Sequence, residues 1–549
     1  MNDRQNHTVF IVKMLFCIMA CSMPFCRQSH TRVQQSILEK TLLIANQTEP
    51  QELDPHIVTG VPEFHILQAL FEGLVIAEPQ HLKPVPGIAS SWEVTPDGLN
   101  WTFHLRTDAR WSNGDTVRAD DFRFSWQRIL SPALGSEYAY MLFCIKGAEA
   151  FNKGELTDFS AVGVTVVNGS TLKVELCRPT PYFLSLLSHH SWFPVHPSTI
   201  LKFGAIDARG TPWTRPENIV TDGAFTLEKW EVNKEITVVK NPLYYDSDRV
   251  ALEKICFYPI ENQQTEERAF RTGEVHITSG CPPTRIDWYR KNHPDLLRID
   301  PYLGTYFYVL NVRKPPFDNP LVRRAFALSV DRRAIVKLIK GGETPAVSFT
   351  PPGTEGYTAD SLIGFDTTEA RRNLEAAGYG PGGKPFPPVE LLYNTSETHH
   401  LLAQAVQQMW QQYLGAGVTL VNQEWKVYLT SKVNGDFSIA RMGWIGDYRD
   451  PMNFLDMWLT GGGNNNSGWS DAGYDSLIAV AANSLGNEDR ARAFRGAERI
   501  LMDSLPIIPV YYYTNVYLID PSVKGWYPNL LNLHNYKYVS LAAAGDNDR

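Results

Sequence analysis

The stretch 437–451 constrains this chain most. It opens as a strand, with Phe437, Ile439 and Arg441 on one face and Ser438, Ala440 and Met442 on the other, then meets Gly443, Gly446, Asp447 and Pro451, which end it. An arginine and an aspartate thus flank a bare backbone segment. Two readings are open at this point. A short zwitterionic guest laid along the segment needs a cation for its carboxylate, a carboxylate for its amine and free N–H and C=O groups between them. The plainer alternative is an ordinary ion pair at a strand end.

At 549 residues the chain exceeds what one compact core can hold, so two or three domains are expected. Fourteen Trp, 24 Tyr and 26 Phe make a high aromatic share, which suits sugar, peptide or protein contacts as well as cores. The formal charge of −8 and the lack of a basic stripe exclude nucleic acid as a natural partner. Residues 1–20 read as an export signal: Arg4 and Lys13 supply charge, Val9 to Val12 and Met14 to Ala20 the apolar run. Ile18-Met19-Ala20-Cys21 has the form of a lipobox with Cys21 as the lipidated residue, although Met19 is unusual there; cleavage and release is the alternative. Lys13 splits the apolar run below membrane-spanning length. Beyond the leader, Cys144, Cys177, Cys256 and Cys281 are widely spaced without a CxxC, which argues against zinc and leaves a disulfide open.

Along the chain, Thr41–Ala45 reads as a strand, Ile66, Leu67, Leu70 and Phe71 as one face of a helix, 101–106 as an alternating strand, and Trp111 to Asp115 as a turn with Gly114 at positive φ. Ala119 to Phe122 starts a helix with acids in its first turn. Segments 219–225 and 236–242 are expected as strands, 266–273 as a helix closed by Gly273, and 320–340 as one long helix. The run 378–384 spaces like a phosphate loop, but Pro385 stands where Ser or Thr belongs and no strand precedes it, so it is a helix-ending loop. Segment 461–468, rich in Gly and Asn, is expected as a flexible surface loop.

The run 86–128, with Trp92, Thr102-Phe103-His104-Leu105-Arg106, Trp111-Ser112-Asn113-Gly114-Asp115 and Asp120-Asp121-Phe122, resembles the signature block of the solute-binding proteins of peptide-type ABC importers, the family 5 extracellular solute-binding proteins; 322–332 resembles a second block of that family. The likeness to its oligopeptide-binding members extends over nearly the whole mature chain. It implies that Asp447 receives a peptide's amine, and that Arg441, His399, Lys314 and Lys432 receive the carboxylates of peptides of different length. Lys432 stands where those members have an arginine, and lysine lacks the bidentate fork. A fixed amine site would set the register, so each added residue moves the carboxylate by about 3.3 Å and a ladder of cations serves several lengths. By the same resemblance Gly443, Trp444 and Ile445 on one side, and Thr59, Gly60 and Val61 on the other, grip the guest's backbone, while Trp425, Tyr138 and Tyr513 fall at ligand contacts. Taken singly, His399 reads as a surface helix start, Lys314 and Lys432 as solvated lysines, and Trp425, Tyr138 and Tyr513 as core. Side-chain pockets in the family are roomy and wet, so residue identity matters little there. Where members have a cysteine in the motif this chain has Ile445, so a disulfide across the cleft is not expected and Cys281 loses its partner.

The resemblance implies an α/β, bilobal periplasmic-binding-protein fold of three domains with the ligand cleft between lobes: 41–71, 198–278 and 514–549 as domain I, 72–197 as domain II and 279–513 as domain III. It implies a monomeric carrier rather than an enzyme, with no cofactor or metal, that passes short peptides to ABC permease subunits from the periplasm or the outer membrane face, touching membrane only through a lipid on Cys21. A narrower murein-peptide carrier is the nearest alternative. Nickel or haem carriers fit Arg441 and Asp447 less well, and a secreted hydrolase lacks both a Gly-x-Ser-x-Gly elbow and a His-Glu-x-x-His motif.

Overall fold

A computed structural model describes residues 30–542 except Pro381; the leader, Cys21 and the last seven residues lie outside the described residues. Three main sheets organise the chain. In the first, strands run in the order Thr41–Ala45, Lys254–Tyr258, Glu235–Lys240, Phe225–Glu231, and the first two pair in parallel from Thr41↔Lys254 to Ala45↔Tyr258. An N-terminal strand thus completes a sheet built mostly much later in the chain. The second is antiparallel, in the order Ala89–Val94, Asn100–Leu105, Thr171–Glu175, Val164–Asn168. The third has six strands, in the order Thr344–Pro345, Ile507–Leu518, Leu297–Leu310, Ile439–Ile445, Val389–Asn394, Val418–Gln423, with helices packed against it.

Two large cores define two lobes. One gathers buried residues from Leu42 to Ile277 and again Tyr517, Ile519, Val523, Tyr536 and Val539; the other gathers Leu303 to Tyr511. Between Ile277 and Tyr517 the first core takes a single described residue, Tyr448, whose ring stacks on Tyr182 at 4.8 Å and 9°. The lobes are joined by the long strands Leu297–Leu310 and Ile507–Leu518, which pair antiparallel from Leu297↔Leu518 and are interrupted by a register shift between Pro301 and Thr305. A bulge bends and twists a ribbon locally. Here it lies at the passage between lobes and brings Tyr302 and Tyr513 towards the cleft.

Several expectations change. Segment 320–340 forms two helices, Pro320–Leu328 and Arg332–Ile339. Asp331 caps the second through Ala334 N–H at 3.0 Å, and the buried Arg332 guanidinium donates to the carbonyls of Ala327, Val330, Gly364 and Pro509, so carbonyls freed at the break are satisfied. Residues 219–224 form no strand. Gly223 donates to Leu70 C=O at 2.9 Å, and a Cβ there would lie 2.6 Å from Leu70 C, so the segment crosses a helix end in place of joining a sheet. In 461–468 the Asn465 amide donates to the carbonyls of Trp458, Leu459 and Trp469 and Ser467 is fully buried, which anchors half of what composition marks as a surface loop. Cys144, Cys177, Cys256 and Cys281 are all free thiols. Among the described residues no helix is long and apolar enough to cross a membrane.

Candidate binding site

The Ile439–Ile445 strand pairs along its whole length with Leu297–Leu310, from Leu310↔Ile439 to Gly304↔Ile445. On its other side it meets Val389–Asn394 only at Leu391↔Ile439 and Leu392↔Ala440. The edge is therefore open from Arg441 onward. Gly446 N–H donates to Leu303 C=O at 2.7 Å, so strand alternation turns residues 440, 442 and 444 to the paired side and Arg441, Gly443 and Ile445 to the open one. The Arg441 carbonyl accepts from the Tyr428 hydroxyl, which leaves the peptide groups of Gly443 and Ile445 on the free edge. Trp444 turns its peptide the other way and spends its indole N–H on Asn453 Oδ1 at 3.2 Å. Position 443 has no room for a side chain: a Cβ would lie 2.5 Å from the Tyr513 hydroxyl.

At the head of this edge the Arg441 guanidinium donates to the Tyr513 hydroxyl at 2.9 Å and to Asn394 Oδ1 at 3.4 Å and lies 4.8 Å from the centre of the Tyr306 ring. Its Nε is buried without a partner, and among the described residues no acid forms an ion pair with it. His399 sits in the first turn of Glu397–Leu414, which Ser396 caps, with its ring 5.7 Å from Tyr306. Its Nδ1 is buried and also unpartnered, contrary to the surface helix start read from the residue alone. Burial, then the Arg441 charge, pushes its pKa well below the ordinary range, so the ring is neutral. Lys432 is half-buried, and burial followed by Arg441 lowers its pKa while Glu137 of the other lobe opposes the shift. Lys314 is exposed and donates to Gly435 C=O at 2.7 Å, beside the turn that follows Lys432. Trp425 is no core residue: it is 47 % exposed and stacked on Tyr428 at 5.6 Å.

At the far end, Asp447 keeps 15 % of its side chain exposed. Asn453 holds it from its own lobe, accepting from Asp447 N–H at 3.1 Å and donating to Oδ2 at 3.4 Å. From the other lobe come the Tyr138 hydroxyl and His189, whose Nε2 lies 3.9 Å from Oδ1. Burial raises the Asp447 pKa to about 6 against the hydrogen bonds of Asn453 and Tyr138. Burial, then His190, keeps His189 neutral; its Nδ1 accepts from Ser191 N–H at 3.3 Å, which puts the ring proton on Nε2, facing the carboxylate. Asp447 therefore has no cationic partner among the described residues. Asn453 and His189 escaped the reading from sequence; the adjacent pair His189-His190 was the one available hint.

Across from the strand, Thr59 and Val61 are exposed at the start of helix Val61–Leu70, and Val61 shares a cavity of 290 Å³ with Ile445, Tyr302 and Tyr513. Among the described residues no group of His, Cys, Asp or Glu is arranged to hold a metal ion.

A partly buried cation and a partly buried anion thus lie at the two ends of an open strand edge between the lobes. Residues 83–466 match the family described as bacterial extracellular solute-binding proteins, family 5, and the chain belongs to that family. It is 39% identical over 500 residues to the periplasmic oligopeptide-binding protein OppA of Escherichia coli K12, covering 89% of this chain and 90% of that one. It superposes on Haemophilus influenzae OppA in complex with the peptide RPPGFSPFR with a TM-score of 0.82 (35% identity, 92% of this chain and 99% of that one). With the E. coli murein tripeptide-binding protein MppA the TM-score is 0.83 at 35% identity, again over 92% and 99% of the two chains, and it falls to 0.71 against the unliganded open form of MppA. The lower score against an open form agrees with the Tyr182–Tyr448 stack and the Arg449 to His81 hydrogen bond of 2.9 Å that tie the lobes together here.

Proposed function

We propose that this chain is an extracytoplasmic receptor that captures short peptides between its lobes and hands them to an ABC importer. The observation that carries this reading is the pair Arg441 and Asp447: two partly buried, oppositely charged groups at the ends of one open strand edge, neither with an ion partner among the described residues. Leaving charges buried and unpaired is costly unless a guest neutralises them. A peptide's carboxylate would take the unpartnered Arg441 Nε and His399 Nδ1, its amine would sit at Asp447 with Tyr138, and its backbone would add a strand to Gly443 and Ile445, with Thr59 and Val61 on the opposite side. Trp425 and Tyr513 would flank its side chains. Lys432 and Lys314 would serve carboxylates of longer guests. The division into three domains at 72, 198, 279 and 514, export and lipidation at Cys21, a monomeric carrier without catalytic activity, and a surface read by permease subunits when the lobes close belong to the same proposal.

Identifying what co-purifies by native mass spectrometry, followed by calorimetry with free and N-acetylated peptides of two to five residues, tests it. Binding of intact free-amine peptides is expected; equal binding of acetylated ones would remove Asp447 from its role, and peptide cleavage would turn the carrier into a hydrolase. Lysine at 432 in place of arginine, together with the likeness to MppA, favours a second reading as a narrower murein-peptide carrier. Competition between a γ-linked cell-wall tripeptide and Ala-Ala-Ala separates the two.

A further inference from the structure

The cavity beside Ile445 has a chemistry of its own. It occupies 290 Å³ between the lobes, with Val61 and Trp526 on one side and Tyr302, Ile445 and Tyr513 on the other. About 150 Å³ suffices for a benzene ring, so the space takes an aromatic side chain with room to spare. No Asp, Glu, Lys or Arg lines it. Its one histidine, His65, is neutral, because burial pushes the pKa down to about 4. The polar groups in its wall are uncharged, among them Gln47, Thr278, Ser279, Asn515 and the tyrosine hydroxyls; Asn532 Oδ1 accepts from His534 Nε2 and Asn515 Nδ2 at 2.9 Å each, and the Trp526 indole N–H is buried beside Tyr517.

Resting on the peptide-receptor reading, we propose that this cavity is a discriminating subsite: it takes the guest side chain lying beside Ile445, admits neutral side chains up to the size of tyrosine or tryptophan, and rejects charged ones. The physical reason is that a charged side chain entering a space between closed lobes loses water and finds no Asp, Glu, Lys or Arg in the wall, the carboxylate of Asp300 lying behind Tyr517 and already taking its hydroxyl, whereas a phenol or indole finds apolar surface and uncharged hydrogen-bonding groups. Ile445 lines the cavity and turns its peptide group to the open edge, so the guest residue it pairs with is the one whose side chain reaches the space. This departs from the expectation that pocket chemistry is indifferent to residue identity.

The test uses the mature full chain and three tripeptide series, Xaa-Ala-Ala, Ala-Xaa-Ala and Ala-Ala-Xaa, with Xaa as Ala, Tyr, Trp, Lys or Glu, measured by calorimetry. At one position only, Tyr and Trp should bind at least about tenfold more tightly than Lys and Glu, the ratio expected when a charge is poorly re-solvated. Asn532→Asp keeps both acceptor contacts and replaces Nδ2 by a charged oxygen, so at that same position it should raise Lys affinity and lower Glu affinity, each measured relative to Ala-Ala-Ala on the same protein. Equal affinity for Lys, Glu and Tyr at all positions overturns the subsite, as does an Asn532→Asp protein with an unaltered melting temperature that ranks Lys as before. If Ala-Ala-Ala itself fails to bind, the peptide-receptor reading falls; if it binds without discrimination, only the subsite does.

Discussion

The two ends of the Ile439–Ile445 edge are built differently. Around Arg441 the neighbours Tyr306, Asn394, His399, Tyr428 and Tyr513 all come from the same lobe, so the cationic pole exists whether the lobes are open or shut. Around Asp447 only Asn453 is local, and Tyr138 and His189 arrive from the other lobe. One pole is preformed and the other is assembled by closure. A guest would therefore dock by its carboxylate and be sensed by its amine, which couples recognition of the second charge to the conformational change. The electrostatics fit this division. Burial raises the Asp447 pKa to about 6, so the closed site disfavours the ionised carboxylate, a penalty that an ammonium group would remove.

The largest effect is expected where closure and charge meet. Asp447→Ala should weaken free-amine peptides by about 100-fold, the scale of a buried charge-assisted contact, and leave N-acetylated peptides unaffected. Calorimetry with matched pairs decides it, and equal losses for both would erase the contrast between poles. Next, Arg441→Lys loses the fork and the stacking on Tyr306 and should cost about tenfold or more, yet small-angle scattering should still find a closed form with ligand at saturation. Failure to close would show that the preformed pole also drives the motion.

A third effect follows from pH. The peptide amine is cationic up to about pH 7.5, so on the acid side affinity tracks the ionised Asp447: it should be highest near neutrality, fall as pH drops through about 6, and fall again as the amine deprotonates above about 8, with acetylated peptides showing neither step. The empty protein carries the opposite sign, because the carboxyl binds its proton more tightly folded than unfolded; its stability should decline as pH rises from about 4 to 6. Smaller again, Tyr138→Phe removes one hydrogen bond to the carboxylate and should cost about fivefold, accompanied by a reduced closed fraction. Smallest, Lys432→Arg restores the fork and should improve only peptides long enough to reach it, by a factor of about two to three.

Much of the site was legible because its signals are local. The order Arg441, Gly443, Asp447 is written in one short stretch, and the glycine is demanded by the Tyr513 hydroxyl at its flank. Helix Ala119–Leu130 and strand Thr41–Ala45 announced themselves through acids in a first turn and an apolar run. The break in 320–340 was missed although Ser329-Val330-Asp331 are weak helix formers and Asp331 is a natural cap; what the sequence could not show is that carbonyls of Gly364 and Pro509 wait for the Arg332 guanidinium. His189, which lies far from Asp447 in the chain and reaches it only because the lobes meet, was not legible, nor was the exposure of Trp425.

What the sequence by itself determined is the inventory: a bilobal α/β chain of the peptide-importer type, and a strand carrying one cation and one anion on either side of bare backbone. What only the tertiary structure decided is which groups stay unpaired and which lobe supplies each neighbour. Charge type and strand period are properties of adjacent residues, whereas a guanidinium met by neutral side chains in place of an acid, or a neutral histidine facing Asp447 across a cleft, depends on segments brought together by two cores and the bulged ribbon that joins them.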